Sequence, residues 1–394
     1  MDGVVEKEKG KLIQQLGSVS QFGITTDLWT HDQSSHSYIT VTCQYIESFS
    51  IHSQILATRV LDSKHNAENI RDNVKSVLEE FSAMRPSNVF VTDNASNMKA
   101  AFREFSWVGC ACHNMNLVLA HAFSKKACSA GTGEAEDSGM PTEVVDLIDN
   151  CKEIVTLAKR THVNTMLEST LKQCVVTRWN SVLTTLKSVR TNLDQLRSLT
   201  STVGINRNLL RMIVDLNDTL LGELVDILEP FDTATKCLST DKEPTLHLVI
   251  PTKVQLSKHL SPAPADSAVI IQVKQHLHNQ LEVYFKTSPI HAVATLLDHR
   301  LKNNFAILPP QQHAAALVSL KQMVEAVTGG LTESTSDAPP VNKKLRLQDN
   351  FFGDLYATPS TSDANEVIIS NVLCTALVFV WFGHYVHTET VVIN

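Results

Sequence analysis

The sequence has no run of about 18 apolar residues, no charged-then-apolar leader at its start and no excess of basic charge. Each absence removes a class of function. Val4 to Lys11 is mostly charged, so neither a secretory signal nor a membrane span is expected. Thirty-four Lys plus Arg stand against 41 Asp plus Glu, a net charge of -7, so bulk electrostatics do not announce nucleic-acid binding. Any such role has to come from local sites. Cysteine is sparse: the eight residues, at positions 43, 110, 112, 128, 151, 174, 237 and 374, form no framework of paired spacings, which is the pattern of a reducing compartment. What remains is a chain of 394 residues with 43% hydrophobic content, enough for two or more packed domains and too much for global disorder.

The first hundred residues carry a sheet pattern. Ile24 to Thr30, Tyr38 to Tyr45 and Ile51 to Val60 are rich in β-branched and aromatic residues and are separated by turn-prone segments, which predicts a three-strand antiparallel meander. Asn66 to Phe81 then sets Ile70, Val74, Val77, Leu78 and Phe81 at helical spacing, with Asn66 as cap and Pro86 beyond the end. A short apolar strand, Asn88 to Thr92, follows. Because it is reached through a helical crossover, it is expected to lie parallel to a neighbour in a mixed α/β sheet. Another helical piece, Asn97 to Phe105, leads to a fifth apolar stretch, Trp107 to Ala111. From about residue 113 the period becomes helical: Val144, Leu147, Ile148, Cys151, Ile154, Val155 and Ala158 share one helix face, as do Val182, Leu186, Val189, Leu193 and Leu196. Leu209 to Leu228 reads as one further helix. Val372 to Val386 is an apolar run too short to span a bilayer, and reads as a buried strand or helix.

Three groups of residues have chemistry to offer. Asp27 lies within a strand pattern and Asp93 directly after another, where a carboxylate is costly unless it is paired or ligates a cation. If the two meet at one sheet edge they suit Mg²⁺, which takes carboxylate oxygens with waters and phosphates; the alternative is that Asp93-Asn94 simply ends the strand and caps a helix. Cys110-Ala111-Cys112-His113 lacks two further ligands at zinc spacing, so no zinc site is expected, and small buried thiols with a helix-capping histidine are the favoured reading. Thr177-Arg178-Trp179-Asn180-Ser181 stands where a helix begins. There Arg178 and Trp179 either contact phosphate and stack on an unpaired base or merely pack, and spacing alone favours packing.

Taken in order, these segments resemble the hAT family of DNA transposases and their domesticated relatives, the BED-type zinc finger proteins. The resemblance runs through Thr25-Thr26-Asp27-Leu28-Trp29, Val91-Thr92-Asp93-Asn94-Ala95-Ser96-Asn97-Met98, Cys110-Ala111-Cys112-His113-Asn114-Met115-Asn116-Leu117 and Thr177-Arg178-Trp179-Asn180-Ser181. It continues with Leu228-Glu229-Pro230-Phe231 and Leu296-Leu297-Asp298-His299-Arg300-Leu301-Lys302, where His299 replaces a usual proline. It implies an RNase H-like core interrupted by a large all-α insertion. The implied divisions are a catalytic core at 1–125, an exposed loop at 126–142, a helical insertion at 143–330, a flexible polar linker at 331–365 and an atypical C-terminal remnant at 366–394. Asp27 and Asp93 then match the first two acids of an Asp-Asp-Glu site holding Mg²⁺, with Glu366 as the third. Cys110 and His113 match a supporting Cys-x-x-His element, and Arg178 and Trp179 match DNA contacts, Trp179 stacking on a flipped base.

The reaction so implied is metal-assisted attack of water, then of a DNA hydroxyl, on phosphodiester bonds. DNA is the expected partner, at transposon ends or regulatory sites, and the nucleus the expected location. Departures from the family lead to the expectation that the upstream BED finger and the C-terminal dimerisation segment are missing, leaving homo-oligomer formation to other family-like contacts. The competing function is a nuclear regulator, in transcription or SUMO conjugation, that keeps the fold without cutting DNA. A basic cluster at Lys343 to Arg346 reads either as a nuclear localisation signal or as a solvated loop.

Overall fold

A β-branched and aromatic stretch, Gly23–Thr30 (β1), pairs antiparallel with Ser37–Glu47 (β2), which pairs antiparallel with Ser50–Val60 (β3). The computed structural model of the chain describes residues 2–31, 36–47, 50–61, 64–123, 139–175, 180–199, 206–240, 243–328 and 351–356. After β3 the chain enters Ala67–Glu80 (α2), whose Asn66 cap accepts a hydrogen bond from Asn69 N and whose Ile70, Val74, Val77 and Leu78 are buried. It returns as Val89–Thr92 (β4), parallel to β1, then Ser96–Phe102 (α3) and Ser106–Gly109 (β5), parallel to β4. The sheet order is β3-β2-β1-β4-β5. This is the mixed five-stranded, RNase H-like order, followed by a largely helical region, as the resemblance implied.

One face of the sheet packs the main apolar cluster: Ile24, Ile39, Val41, Cys43, Tyr45 and Phe90 meet the buried faces of α2 and α3. Asp2–Gly17 (α1) joins this cluster through Leu12, Ile13 and Leu16. The charged first half of α1 masks its apolar period, which only Leu12, Ile13 and Leu16 carry at helical spacing. Arg85 holds its end, donating to the carbonyls of Leu16, Gly17 and Val19, a cation placed where a helix leaves its last carbonyls unsatisfied.

Two compact units divide the chain. The first comprises 1–114, 236–254 and 287–394, and the second 115–235 and 255–286. In the second, Thr142–Arg160 (α5) buries the seven apolar residues expected from its period and packs on Asn180–Ser198 (α6) and Arg207–Val214 (α7). Leu209 to Leu228 is not one helix. Asp215 ends α7, and the Asn217 side chain accepts from Leu220 N to start Asp218–Leu238 (α8). The pairs Lys187–Glu229, Arg190–Asp226 and Arg197–Asp218 lace α6 to α8 in antiparallel order. Each pair is partly exposed, so together they fix orientation more than stability.

Ala111–Ala122 (α4) follows β5, and Val249–His259 (α9) and Ala268–Tyr284 (α10) complete the middle of the chain. In the first unit, Pro289–Leu297 (α11) packs on the short turn Leu246–Leu248 and on Pro310–Thr328 (α12). No helix among the described residues is long and apolar enough to cross a membrane. The 331–350 part of the expected linker, its 357–365 part and the C-terminal run lie outside the described residues.

Asp298, at the end of α11, anchors this unit. Its buried carboxylate accepts Arg300 Nε at 3.0 Å and Nη2 at 2.8 Å, and His247 Nε2 lies 3.4 Å away. The Arg300 guanidinium also sits 4.2 Å from the centre of the Tyr356 ring. Burial pushes the Asp298 carboxyl up, but the Arg300 hydrogen bonds and the His247 and Arg300 charges outweigh it and hold the group below the ordinary carboxylate value. A carboxyl so lowered stabilises the fold fully above the unfolded value, about 3.9, and that contribution is lost as pH falls through the lowered value. Asp298→Ala should cost about 3–5 kcal/mol by leaving Arg300 without its buried partner, read as a fall in the urea midpoint at neutral pH. A loss below about 1 kcal/mol, the size of an exposed pair, would contradict this role.

Candidate functional site

The site grows from strand register. β1 and β4 run parallel, with Gly23, Ile24 and Thr25 opposite Val89, Phe90 and Val91. Asp27 lies two residues beyond Thr25, and Asp93 two residues beyond Val91. Adjacent strands run roughly 5 Å apart, so Asp27, within β1, stands level with Asp93, just past the end of β4. This is the carboxyl edge where ligands settle in open α/β sheets. β1 is buried from Gly23 to Thr26 and emerges at Asp27, which is exposed; Asp93 is half-buried. Neither carboxylate bears the deep burial that the sequence argument assumed, because β4 ends at Thr92 and leaves β1 to continue along β2 alone. Asp93 Oδ1 also accepts Ala95 N at 3.0 Å, so turn chemistry and a place at the strand edge coexist in one residue.

Cys110 closes β5. Its N–H donates to Thr92 O at 2.8 Å and its carbonyl accepts Asn114 N at 3.0 Å, so α4 starts at Ala111 and not near Asn114. His113 is therefore within the first turn, and the Cys110 sulfur performs the capping that the sequence reading gave to the histidine. The Cys112 thiol donates to that sulfur, and the backbone N–H groups of His113 and Cys112 do the same. These bonds outweigh burial and the Asp27 charge and hold the Cys110 thiol below its ordinary value, while the same bond and burial push Cys112 up. His113 is lowered by burial, against the pull of Asp93 and Asp27, with Lys99 opposing protonation as well. The imidazole thus lies within electrostatic reach of both aspartates and is predominantly neutral at neutral pH.

A clamp unseen in the sequence holds the Asp93 loop. Asn94 Nδ2 donates to Asn114 Oδ1, on a buried residue of α4. Gly109 leaves the room for it: a Cβ there would press on the Asn94 side chain, whose Cγ would be 3.2 Å away. The two asparagines lie within the motifs quoted above, but only the fold brings them together. Behind the site, a cavity of about 10 Å³ is lined by Val91, Val108, Gly109, Ala111, Cys112, Leu238 and His291. It has room for about one water and is too small for a substrate.

Glu366, Arg178 and Trp179 lie outside the described residues. The structure therefore brings together Asp27, Asp93, Cys110 and His113. Among the described residues no group of three His, Cys, Asp or Glu is arranged to hold a metal ion.

Comparison with known proteins agrees with this architecture. Residues 25–108 match the ZBED1 RNase-like domain. Zinc finger protein 618 of Mus musculus is 27% identical over 341 residues, covering 86% of this chain and 34% of that protein, and its Homo sapiens counterpart matches to the same extent. The Transposable element Hobo transposase of Drosophila melanogaster is 28% identical over 292 residues, covering 73% of this chain and 40% of that protein. The chain thus spans about a third to two-fifths of the length of these relatives. It is a distant homologue of both, a relative of hAT transposases and of BED-type zinc finger proteins with an RNase H-like fold.

The clamp is open to a direct test. Gly109→Ala should destabilise the fold by about 1–3 kcal/mol, as overpacking does, in thermal or urea unfolding. Adding Asn94→Ala should restore part of that loss, since the crowded side chain is gone. Strict additivity of the two substitutions would show that Gly109 and Asn94 do not share this contact.

Proposed function

We propose that this chain carries the core of a hAT-type transposase, or of a nuclear protein derived from one, whose ancestral reaction is Mg²⁺-dependent cleavage and transfer of DNA strands. The observation that carries this reading is the register of β1 and β4, which sets Asp27 within β1 level with Asp93 just past the end of β4. Two carboxylates so placed repel each other unless a cation lies between them. Their oxygens are the donor set of Mg²⁺, which takes one or two carboxylates and fills its remaining positions with waters and substrate phosphates. The bound cation supplies charge stabilisation at the phosphate and a nucleophilic oxygen at neutral pH. In this reading the sheet unit is the catalytic core and the helical unit the insertion.

Each residue then has a task. Asp27 and Asp93 hold the cation, and Glu366 supplies the third carboxylate. His113, kept neutral by burial, offers one hydrogen bond beside the two acids without adding charge. Cys110 fixes the start of α4 and hence the position of His113. Arg178 contacts the DNA backbone and Trp179 stacks on an extruded base. Similarity to a protein named as a transposase supports the reading.

A second reading is a regulator that binds DNA or protein in the nucleus without cutting. It draws on comparable similarity to zinc finger protein 618 and on the presence of only two acids at the edge among the described residues. Cleavage of terminal-repeat DNA in Mg²⁺ separates the two. The first reading expects cleavage by the wild-type chain and a loss on the order of 100-fold or more in Asp93→Asn, since even outer-shell partners of metal ligands are worth 10–100-fold. Equal cleavage by the variant would exclude the metal role of Asp93. DNA binding by the wild-type chain without any cleavage would favour the regulator.

A further inference from the structure

Cys110 and Cys112 hold each other in contact, and the reading above uses only the first, as the group that starts α4. The Cys112 thiol donates to the Cys110 sulfur, which also accepts the backbone N–H groups of Cys112 and His113. Sulfur is a weak acceptor, so one that gathers three donors carries thiolate character, and the thiolate is the form of cysteine that reacts. Three other described thiols are in the opposite condition: burial pushes Cys43 and Cys151 up to about 12 and Cys237 up to about 11.

Spacing permits a covalent link. With a rise of about 1.5 Å and a turn of about 100° per residue at a radius of about 2.3 Å, helical residues two apart have Cα atoms about 5.4 Å from each other. A disulfide spans roughly 4.4–6.8 Å between Cα atoms. Cys110 is on the first turn of α4, because its carbonyl accepts Asn114 N at 3.0 Å. A ring closed over Ala111 alone would tie the Cys110 sulfur to Cys112 and withdraw it from the N–H of His113. Access selects the oxidant: Cys110 and Cys112 are 8% and 7% exposed, too little for a bulky disulfide such as oxidised glutathione and enough for a molecule of two oxygens.

We propose that Cys110 and Cys112 form a redox-modification site for hydrogen peroxide, which joins them as a disulfide and releases the first turn of α4. The Cys110 sulfur attacks one peroxide oxygen and the O–O bond breaks. Cys110 becomes a sulfenic acid, and the leaving hydroxide takes up the thiol proton as water. The Cys112 sulfur then attacks the Cys110 sulfur, the S–O bond breaks, and the departing hydroxide takes the Cys112 proton as a second water. Two thiols lose two electrons, and one peroxide becomes two waters. A reducing thiol reverses the link by exchange. None of these steps depends on a cation at Asp27 and Asp93.

The test uses the full chain, titrated with hydrogen peroxide up to the dose that oxidises half of Cys174, the only described thiol that is not buried. Remaining thiols are alkylated after unfolding and the digest is weighed. The tryptic peptide Glu104 to Lys125 contains Cys110, Cys112 and no other cysteine. It should appear unalkylated and lighter by two hydrogens, and regain both alkyl groups after reduction; oxidation of Met115 adds oxygen and does not imitate this change. In Cys112→Ser, Cys110 should stop at the sulfenic acid and be trapped by dimedone. Hydrogen exchange at the Cys112 and His113 amides should rise on oxidation, because their acceptor has turned away. Full alkylation of both cysteines in the wild-type chain at that dose overturns the site, as does a disulfide from either one to a different cysteine. Unchanged exchange at the two amides in the oxidised chain overturns the release of α4.

Discussion

Parallel pairing between β1 and β4 is the constraint from which the rest of the site follows. Hydrogen bonds in a parallel ladder fix register residue by residue, and this ladder sets Thr25 against Val91. Both chains then leave the shared ladder at the same level, so the next outward positions, Asp27 and Asp93, are brought together by backbone geometry before any side chain acts. The same termination leaves β1 to continue beside β2 alone, with Asp27 exposed. α2 and α3 hold the ladder from the other side through Val74, Val77 and Phe102.

The loop after β4 shows how a polar site is kept in place without deep burial. Asp93 accepts Ala95 N, Asn94 reaches Asn114, and Cys110 joins Thr92 O to the first turn of α4. Three successive features of the sequence, the Asp-Asn pair, the glycine at 109 and the Cys-x-x-His run, become one connected bond network. Its members are asparagines, a thiol and an imidazole whose pKa burial lowers.

Much of this was legible in the residues. β-branched alternation gave the meander, a capped amphipathic stretch gave α2, and the crossover gave the parallel β4, because burial on one face writes a period of 2 or 3.6 into the chain. Asp27 and Asp93 stood out as carboxylates in apolar strands, although their exposure reversed the burial argument that drew attention to them. Three features were illegible for a common reason. α1 hides its apolar stripe behind a charged first half. The break between α7 and α8 depends on Asn217, whose cap leaves the apolar period almost unbroken. The Asn94–Asn114 clamp joins residues from different elements, and no local period records such a contact. Net charge carries no record of this edge, since acids such as Asp218, Asp226 and Glu229 pair with cations of α6.

The proposed function needs Asp27 and Asp93 to share one cation. It is tested most directly by a crystal structure of the chain soaked in Mn²⁺, with the ion located by its anomalous scattering. The expected result is a peak in contact with carboxylate oxygens of both Asp27 and Asp93. A peak bound to neither, or density showing the two carboxylates turned to separate surroundings with no ion between them, would contradict it.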